Sequence, residues 1–399
     1  MVEKHTGRLG TTFTRFLISK SLSSISFNLF QIYFLWKIVS IYHSVFLAGI
    51  IPTIAFAVQL LSSIPIGHGI DRINSTILSF ISTAIMILGF LTLLLSTTLF
   101  AIYLTTLIMS IGYTLKGDSF SAILKKHLND EHIARGTSMN QLSIGLSGVL
   151  GIAAGGFSLL FLEGFTPLIL LTISVAALLL SIPASEAVNR RDNGTVRSEY
   201  GHVISFYRKI VGFIVVATIL NGLFVGLTVY SSGLFKLYLH STPEFYTMFE
   251  VAFPAGMIFG SYASSRILVF IDRPHIPALL VLLYGPLIFL LGASRSASAD
   301  ILIFLAVGFI NPLINVPLNA RLTRATPKEI FGRVFAFLRI FIGGSTPVMA
   351  VVFTVLSVYA PVPVILMAIG ASEVFVAMIG FSTIPRLYRM TETLELITS

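Results

Sequence analysis

Apolar residues along this chain fall in long blocks, broken by short polar interruptions. The blocks cover 14–37, 45–67, 76–97, 100–124, 138–161, 166–185, 211–235, 244–265, 276–293, 301–321, 334–358 and 362–384. A hydrocarbon layer about 30 Å thick is crossed by about 20 helical residues, each rising about 1.5 Å. Each block is therefore long enough for one crossing, and the pattern predicts about twelve transmembrane helices. Strands of a membrane barrel would be shorter and alternate in polarity, which these blocks do not do. The longest polar stretch, Ser185 to Lys209, separates six blocks from six. The expected fold is all-α and polytopic, in two pseudo-symmetric six-helix bundles. The expected domains are 1–185, a cytoplasmic central loop at 186–209, and 210–399 ending in a short cytoplasmic tail.

Composition agrees with the block pattern. Hydrophobic residues make up 55% of the 399 positions and charged residues 11%. A soluble domain carries about 25% charged residues, so this chain cannot coat a water-soluble globule. The net charge of +9 raises the question of nucleic acid, but the distribution of the basic residues answers it. With the N-terminus placed in the cytoplasm, twenty of the 26 Lys and Arg residues fall in cytoplasmic segments. Three, Lys37, Lys236 and Arg295, fall in outer loops, and Lys20, Lys116 and Arg339 fall within spans. The bias orients the chain with both termini inside and makes the positive charge a matter of topology. Nucleic acid is not an expected partner. There is no cysteine, which excludes disulfides, thiol catalysis and cysteine-ligated metals. The basic N-terminus runs into a long apolar block with no small-residue cleavage site, and so reads as a first span. Sequons at Asn74 and Asn193 fall in cytoplasmic loops and read as chance.

The two halves echo each other. A shift of 193 sets Gly67 on Gly260, both read as closing a span, and Asn28 on Asn221. With a slightly different shift, "NDEHIARG" (129–136) answers "TPKEIFGR" (326–333), each placing a polar cap and an acid before a new span. Such six-plus-six repeats are a transporter architecture.

The loop after the second block reads Gly67-His-Gly-Ile-Asp71-Arg72-Ile-Asn74-Ser75-Thr76. With the twelve spans it resembles the major facilitator superfamily, whose loop between helices 2 and 3 reads roughly G-x-x-x-D-R-x-G-R-R. Gly67, Asp71 and Arg72 match; the later glycine and two bases are replaced by Asn74, Ser75 and Thr76. The resemblance implies a gating motif in which Asp71 lies near the start of span 11, where a carboxylate suits a helix N-terminus. The second-half echo, "GSYASSR" at 260–266, lacks the acid, so only one such latch is expected. In span 5, Ser147, Gly151, Gly155 and Gly156 resemble the small-residue pattern of the family's exporters, with Ile152 in place of its proline. Close helix packing alone is the competing reading. The layout is most similar to the drug- and macrolide-efflux-like branch.

Polar groups within the spans mark the candidate chemistry, because burying them in lipid is expensive. Asp118 in span 4 and Glu250 in span 8 are the coupling candidates. A structural bridge to Arg72 or another cytoplasmic arginine competes for Asp118. Pro254 and Gly256 follow Glu250 and suggest a bend there. Lys20 and Arg339 are close enough to the cytoplasmic face to snorkel. Glu373, near the middle of span 12, is a lesser candidate, since the resemblance puts that span outside the bundle core. In span 10, Asn311, Asn315 and Asn319 recur at i, i+4 and i+8 on one stripe, interrupted by Pro312 and Pro317. The resemblance implies that spans 1, 4, 7 and 10 line a central cavity. Asn28, Gln31, Asn221, Asn311 and Asn315 are then its candidate lining, with interhelical hydrogen bonding as the alternative.

Nucleotide-cradling and hydrolase motifs are missing, so no enzyme, cofactor or metal site is expected. The resulting expectation is a monomeric secondary transporter of the plasma membrane working by alternating access. It exports a small amphipathic compound in exchange for protons. A nutrient symporter, or a receptor or scramblase on the same scaffold, are the alternatives.

Overall fold

The computed structural model describes residues 11–70, 74–127, 130–183, 200–326 and 331–398. These form twelve α-helices: α1 (Thr11–Tyr42), α2 (Val45–Ile70), α3 (Ser75–Leu95), α4 (Leu99–His127), α5 (Asp130–Phe161), α6 (Thr166–Leu180), α7 (Tyr200–Gly233), α8 (Pro243–Ile271), α9 (His275–Ala293), α10 (Ala297–Ala325), α11 (Phe331–Leu356) and α12 (Val362–Thr398). A 3-10 turn, Glu163–Phe165, precedes α6, and a π turn, Leu234–Tyr238, ends α7. Among the described residues there is no strand, and ten helices are long and apolar enough to cross a membrane. Helices dominate because backbone amides in lipid must find their partners within their own segment.

Several helices outrun their apolar blocks. α7 starts at Tyr200, inside the stretch read as the central loop, and α12 continues to Thr398, through the stretch read as a tail. Gly260 does not close a span: α8 runs on to Ile271. A Cβ at Gly260 would meet Phe309 of α10, so the glycine serves helix contact instead. The bend expected near Pro254 has a different marker, since the non-helical residue within α8 is Ile267 (φ −111, ψ 17).

The chain forms two compact units, Met1–Phe34 with Ala57–Arg190, and Leu35–Phe56 with Arg191–Ser399. In the first, α3 and α4 pack along their lengths, and Phe13, Phe16, Phe120 and Ile123 form a core where α1 meets α4. In the second, α8 packs on α10 and α9 on α12, around a core that includes Ile314, Leu318, Leu322 and Tyr388. The second unit also holds the turn between α1 and α2. The Thr354 hydroxyl on α11 donates to the Gly49 carbonyl (3.1 Å) and lies 3.0 Å from the Thr53 hydroxyl, while Trp36 stacks on Tyr246 (5.1 Å).

Candidate functional site

Among the described residues of the first unit, the cation at position 116 is the most enclosed charged group. Lys116 is 1% exposed on α4. Its Nζ donates to Ser19 Oγ on α1 (2.8 Å), Thr83 Oγ1 on α3 (2.8 Å) and the Ser79 carbonyl on α3 (3.2 Å). Three donors thus meet three acceptors. Ser19 in turn donates to the Ala177 carbonyl on α6 (2.6 Å), so one lysine knits four helices. Lys20, expected to snorkel, is instead 8% exposed, bonded to Asn140 on α5 and set over the Phe120 ring (5.0 Å). Asp118 lies half-buried on α4 and is engaged with a neighbour.

The small residues of α5 pack. A Cβ at Gly151 would fall 2.7 Å from the Ile25 carbonyl, and one at Gly155 3.1 Å from the Leu29 carbonyl, both on α1. Gly156 is buried as well. The contact at Gly151 also reaches Asn28 Cβ, and the Asn28 amide turns back to the Ser24 carbonyl of its own helix (2.8 Å). Gln31, one turn on, is half-buried. Phe27 stacks on Tyr113 beside them (4.1 Å).

Of the loop motif, Gly67 falls within α2, while Asp71 and Arg72 lie outside the described residues. Asn74, which departs from the family pattern, has its own task. Its Oδ1 accepts from Thr76 N and Thr76 Oγ1, each at 3.0 Å, and so caps the start of α3. In the sequence, Asp71-Arg72 follows Ile70, the last residue of α2, and Asp272-Arg273 follows Ile271, the last residue of α8, a shift of 201 rather than 193. The 193 shift missed this because α8 extends beyond its apolar block. Asp272 pairs with Arg321 of α10 (Nε to Oδ1 2.7 Å, Nη2 to Oδ2 3.3 Å), and the guanidinium lies 3.9 Å from the centre of the Tyr388 ring on α12.

In the second unit, Asn315 is exposed on α10 and its amide donates to Asn311 Oδ1 (3.0 Å) and the Asn311 carbonyl (3.1 Å). Asn319 is exposed on the same stripe, and Asn311 is half-buried. Asn221 spends its amide on α11, donating to the Ile342 carbonyl (3.0 Å) and Thr346 Oγ1 (3.1 Å). It therefore joins two helices rather than the asparagine stripe. Glu250 sits on α8 beside the Ser231 and Tyr246 hydroxyls, and Tyr246 is covered by Trp36, over which Lys236 lies (5.2 Å). His43, Lys236, Leu237, His240 and Ser241 line a cavity of about 290 Å³ at this end. His43 and His240 both take left-handed backbone (φ 49 and 48). Nothing in the hydrophobic pattern singled these histidines out; a His-Ser pair after a long apolar block, with a tyrosine one or two residues before it, was the available signal. Among the described residues, no cluster of three His, Asp or Glu is placed to hold a metal.

The chain matches the sequence profile of the Major Facilitator Superfamily over residues 16–351. It belongs to this superfamily. Solved structures agree at the level of fold. A POT family transporter in complex with 5-aminolevulinic acid superposes with a TM-score of 0.75 at 14% identity, covering 94% of this chain and 96% of that one. The nucleoside transporter NupG gives 0.75 at 13%, covering 94% and 99%. A bacterial homologue of the human lysosomal transporter Spinster, inward-facing and unoccupied, gives 0.66 at 12%, covering 96% of each. No curated protein matches the chain in sequence. The protein is thus a multi-pass membrane transporter of the facilitator type and not an enzyme.

Proposed function

We propose that this facilitator-superfamily protein is a secondary active exporter of small amphipathic compounds, exchanging them for protons by alternating access. The observation that carries the reading is the α10 stripe, where Asn315 is exposed and bonded to Asn311 on a helix interrupted by Pro312 and Pro317. An amide row offers donors and acceptors to a polar group, and the apolar and aromatic residues around it suit the rest of an amphipathic molecule. Phe224, packed on Phe253 (5.2 Å) in the same unit, supplies aromatic surface of this kind. Export is supported by the small-residue run Gly151, Gly155 and Gly156, and proton exchange by the intramembrane carboxylates Asp118 and Glu250. The two halves, 1–185 and 210–399 joined by 186–209, act as the moving bodies in this reading. The Gly67, Asp71 and Arg72 motif serves as the latch. The protein works as a monomer in the plasma membrane with both termini cytoplasmic.

Everted membrane vesicles with an imposed pH gradient test this. Ethidium and a macrolide are the probes, against vesicles lacking the protein. The expected result is saturable, protein-dependent accumulation that a protonophore abolishes. Accumulation only in right-side-out vesicles would replace the exporter by an uptake symporter. Passive movement of labelled lipid without solute transport would replace it by a scramblase, and no movement at all by a receptor.

A further inference from the structure

Glu373 lies at the middle of the apolar block of α12, 362–384, and is 1% exposed. Its Oε2 has no hydrogen-bond partner among the described residues, and no basic side chain there forms an ion pair with it. An isolated carboxyl group buried at membrane depth is costly, and such a group is retained where it does work. The neighbouring backbone shows what it is set against. Gly285 of α9 and Gly370 of α12 bring the two helices into contact: a Cβ at Gly285 would lie 2.6 Å from the Gly370 carbonyl and 2.7 Å from Val374 N. Tyr284 and Glu373 each precede a residue of this contact, Gly285 and Val374, and the carboxyl acts electrostatically on the phenol.

Tyr284 also faces α10. Its hydroxyl donates to the Val307 carbonyl (3.1 Å), and the Asn311 side chain reaches the same hydroxyl. Asn311 is bonded to the exposed Asn315 (3.0 Å). Hydrogen bonds therefore lead from the phenol on α9 to the exposed amide stripe on α10, and the buried acid on α12 flanks the same α9–α12 contact as the phenol. Among the described residues the only titratable group facing Glu373 is Tyr284. α10 brings the neutral Asn311, and α7, which also packs on α12, brings Gly226 against Ile369.

We propose that Glu373 is a proton-exchange site whose charge state is passed by Tyr284 to the Asn311–Asn315 stripe. Protonated, Glu373 leaves the phenol on the Val307 carbonyl and its oxygen with Asn311. When Glu373 loses its proton to water, the O–H of Tyr284 turns from Val307 to the carboxylate, a charge-assisted bond stronger than the one it gives up. The phenol oxygen then withdraws from Asn311 and frees the stripe to rearrange; reprotonation reverses each step. The inference rests on the proton-coupled reading above, and locates its second-half acid on α12 rather than at Glu250.

Infrared difference spectroscopy on the reconstituted protein tests it without a substrate. In a pH titration the unaltered protein should show a carboxylic C=O band that disappears reversibly as pH rises, together with a shift of a tyrosine ring mode. Glu373→Gln should lose both signals, and Tyr284→Phe should keep the carboxylic band with a displaced midpoint while losing the ring-mode shift. Size-exclusion behaviour and thermal stability establish that each variant is folded. A band that persists unchanged in Glu373→Gln, or a Tyr284→Phe midpoint identical to the unaltered protein, overturns the proposal. So does a band insensitive to pH in the unaltered protein. The ethidium assay in everted vesicles separates the two ideas. Loss of gradient-driven transport in Glu373→Gln supports both. A titrating Glu373 in a protein whose transport ignores the pH gradient sinks the proton-coupled reading and leaves the site standing.

Discussion

Removing the buried lysine should harm the first unit less than removing one of its partners. Lys116 brings three N–H donors into a site with only neutral acceptors among the described residues, at Ser19, Thr83 and the Ser79 carbonyl. In Lys116→Met the side-chain volume is nearly kept and the ammonium's desolvation penalty is removed. The hydroxyls left behind keep other acceptors: Ser19 still donates to the Ala177 carbonyl (2.6 Å) and Thr83 to the Ser79 carbonyl (3.1 Å). Replacing a buried charge by an apolar residue of similar volume is often neutral or stabilising, by about 1–4 kcal/mol. Ser19→Ala does the reverse. It leaves the ammonium in place with one acceptor gone, and a hydrogen bond to a charged group is worth about 1.5–3 kcal/mol. The Ala177 carbonyl is not orphaned in that variant, because it also accepts from Ser181 N (3.1 Å). The expected order is therefore Ser19→Ala destabilised by about 2–3 kcal/mol and Lys116→Met near neutral, within about 1 kcal/mol. The double variant should regain most of the Ser19→Ala loss. Equilibrium unfolding of the purified protein in mixed micelles, titrated with a denaturing detergent, measures all three. A Lys116→Met variant less stable than Ser19→Ala, or a double variant whose losses simply add, would refute the argument.

Other outcomes follow from the same contacts. Gly151→Ala should lower stability by about 1–3 kcal/mol, since its Cβ would strike the Ile25 carbonyl, whereas Gly148→Ala, whose Cβ meets nothing within 4 Å, should be silent in the same assay. Arg321→Ala should cost about 2–3 kcal/mol, just under the range for a fully buried pair because its side chain and that of Asp272 are 13% and 16% exposed. Arg321→Lys should recover less than half of that loss, because lysine reproduces neither the forked bond to Asp272 nor the flat contact with Tyr388. Asn315→Ala should leave unfolding unchanged within about 0.5 kcal/mol but raise the KM for the transported probe about tenfold, equivalent to about 1.4 kcal/mol; an unchanged KM would remove the stripe from the recognition site. Asn221→Ala should do the opposite, costing about 1 kcal/mol of stability for its two bonds to α11 with little change in KM.

The hydrophobic blocks were enough to read the number of helices, their order and the membrane as their solvent. The physical reason is local: a backbone in lipid must close its own hydrogen bonds, and the length needed to cross is set by the bilayer. The same reasoning found the close contact of α5, because small residues at four-residue spacing act on one helix face. It also found the α10 stripe, whose asparagines meet within a single helix. What lay beyond one helix was not legible. Asn28 and Asn221 look alike in sequence, yet one bonds its own helix and the other α11. Lys20 was close enough to the helix end to reach water, but Asn140 and Phe120 hold it inside. Asp272 was hidden by where α8 ends, and its partner Arg321 is 49 residues away. Glu373 gained its setting only from the close contact of Gly285 on α9 with Gly370 and Val374 on α12, which Tyr284 and Glu373 flank. Hydropathy reports how a segment meets its solvent, whereas which polar side chains face each other depends on helix rotation and contact, and those are fixed by packing among segments distant in the chain.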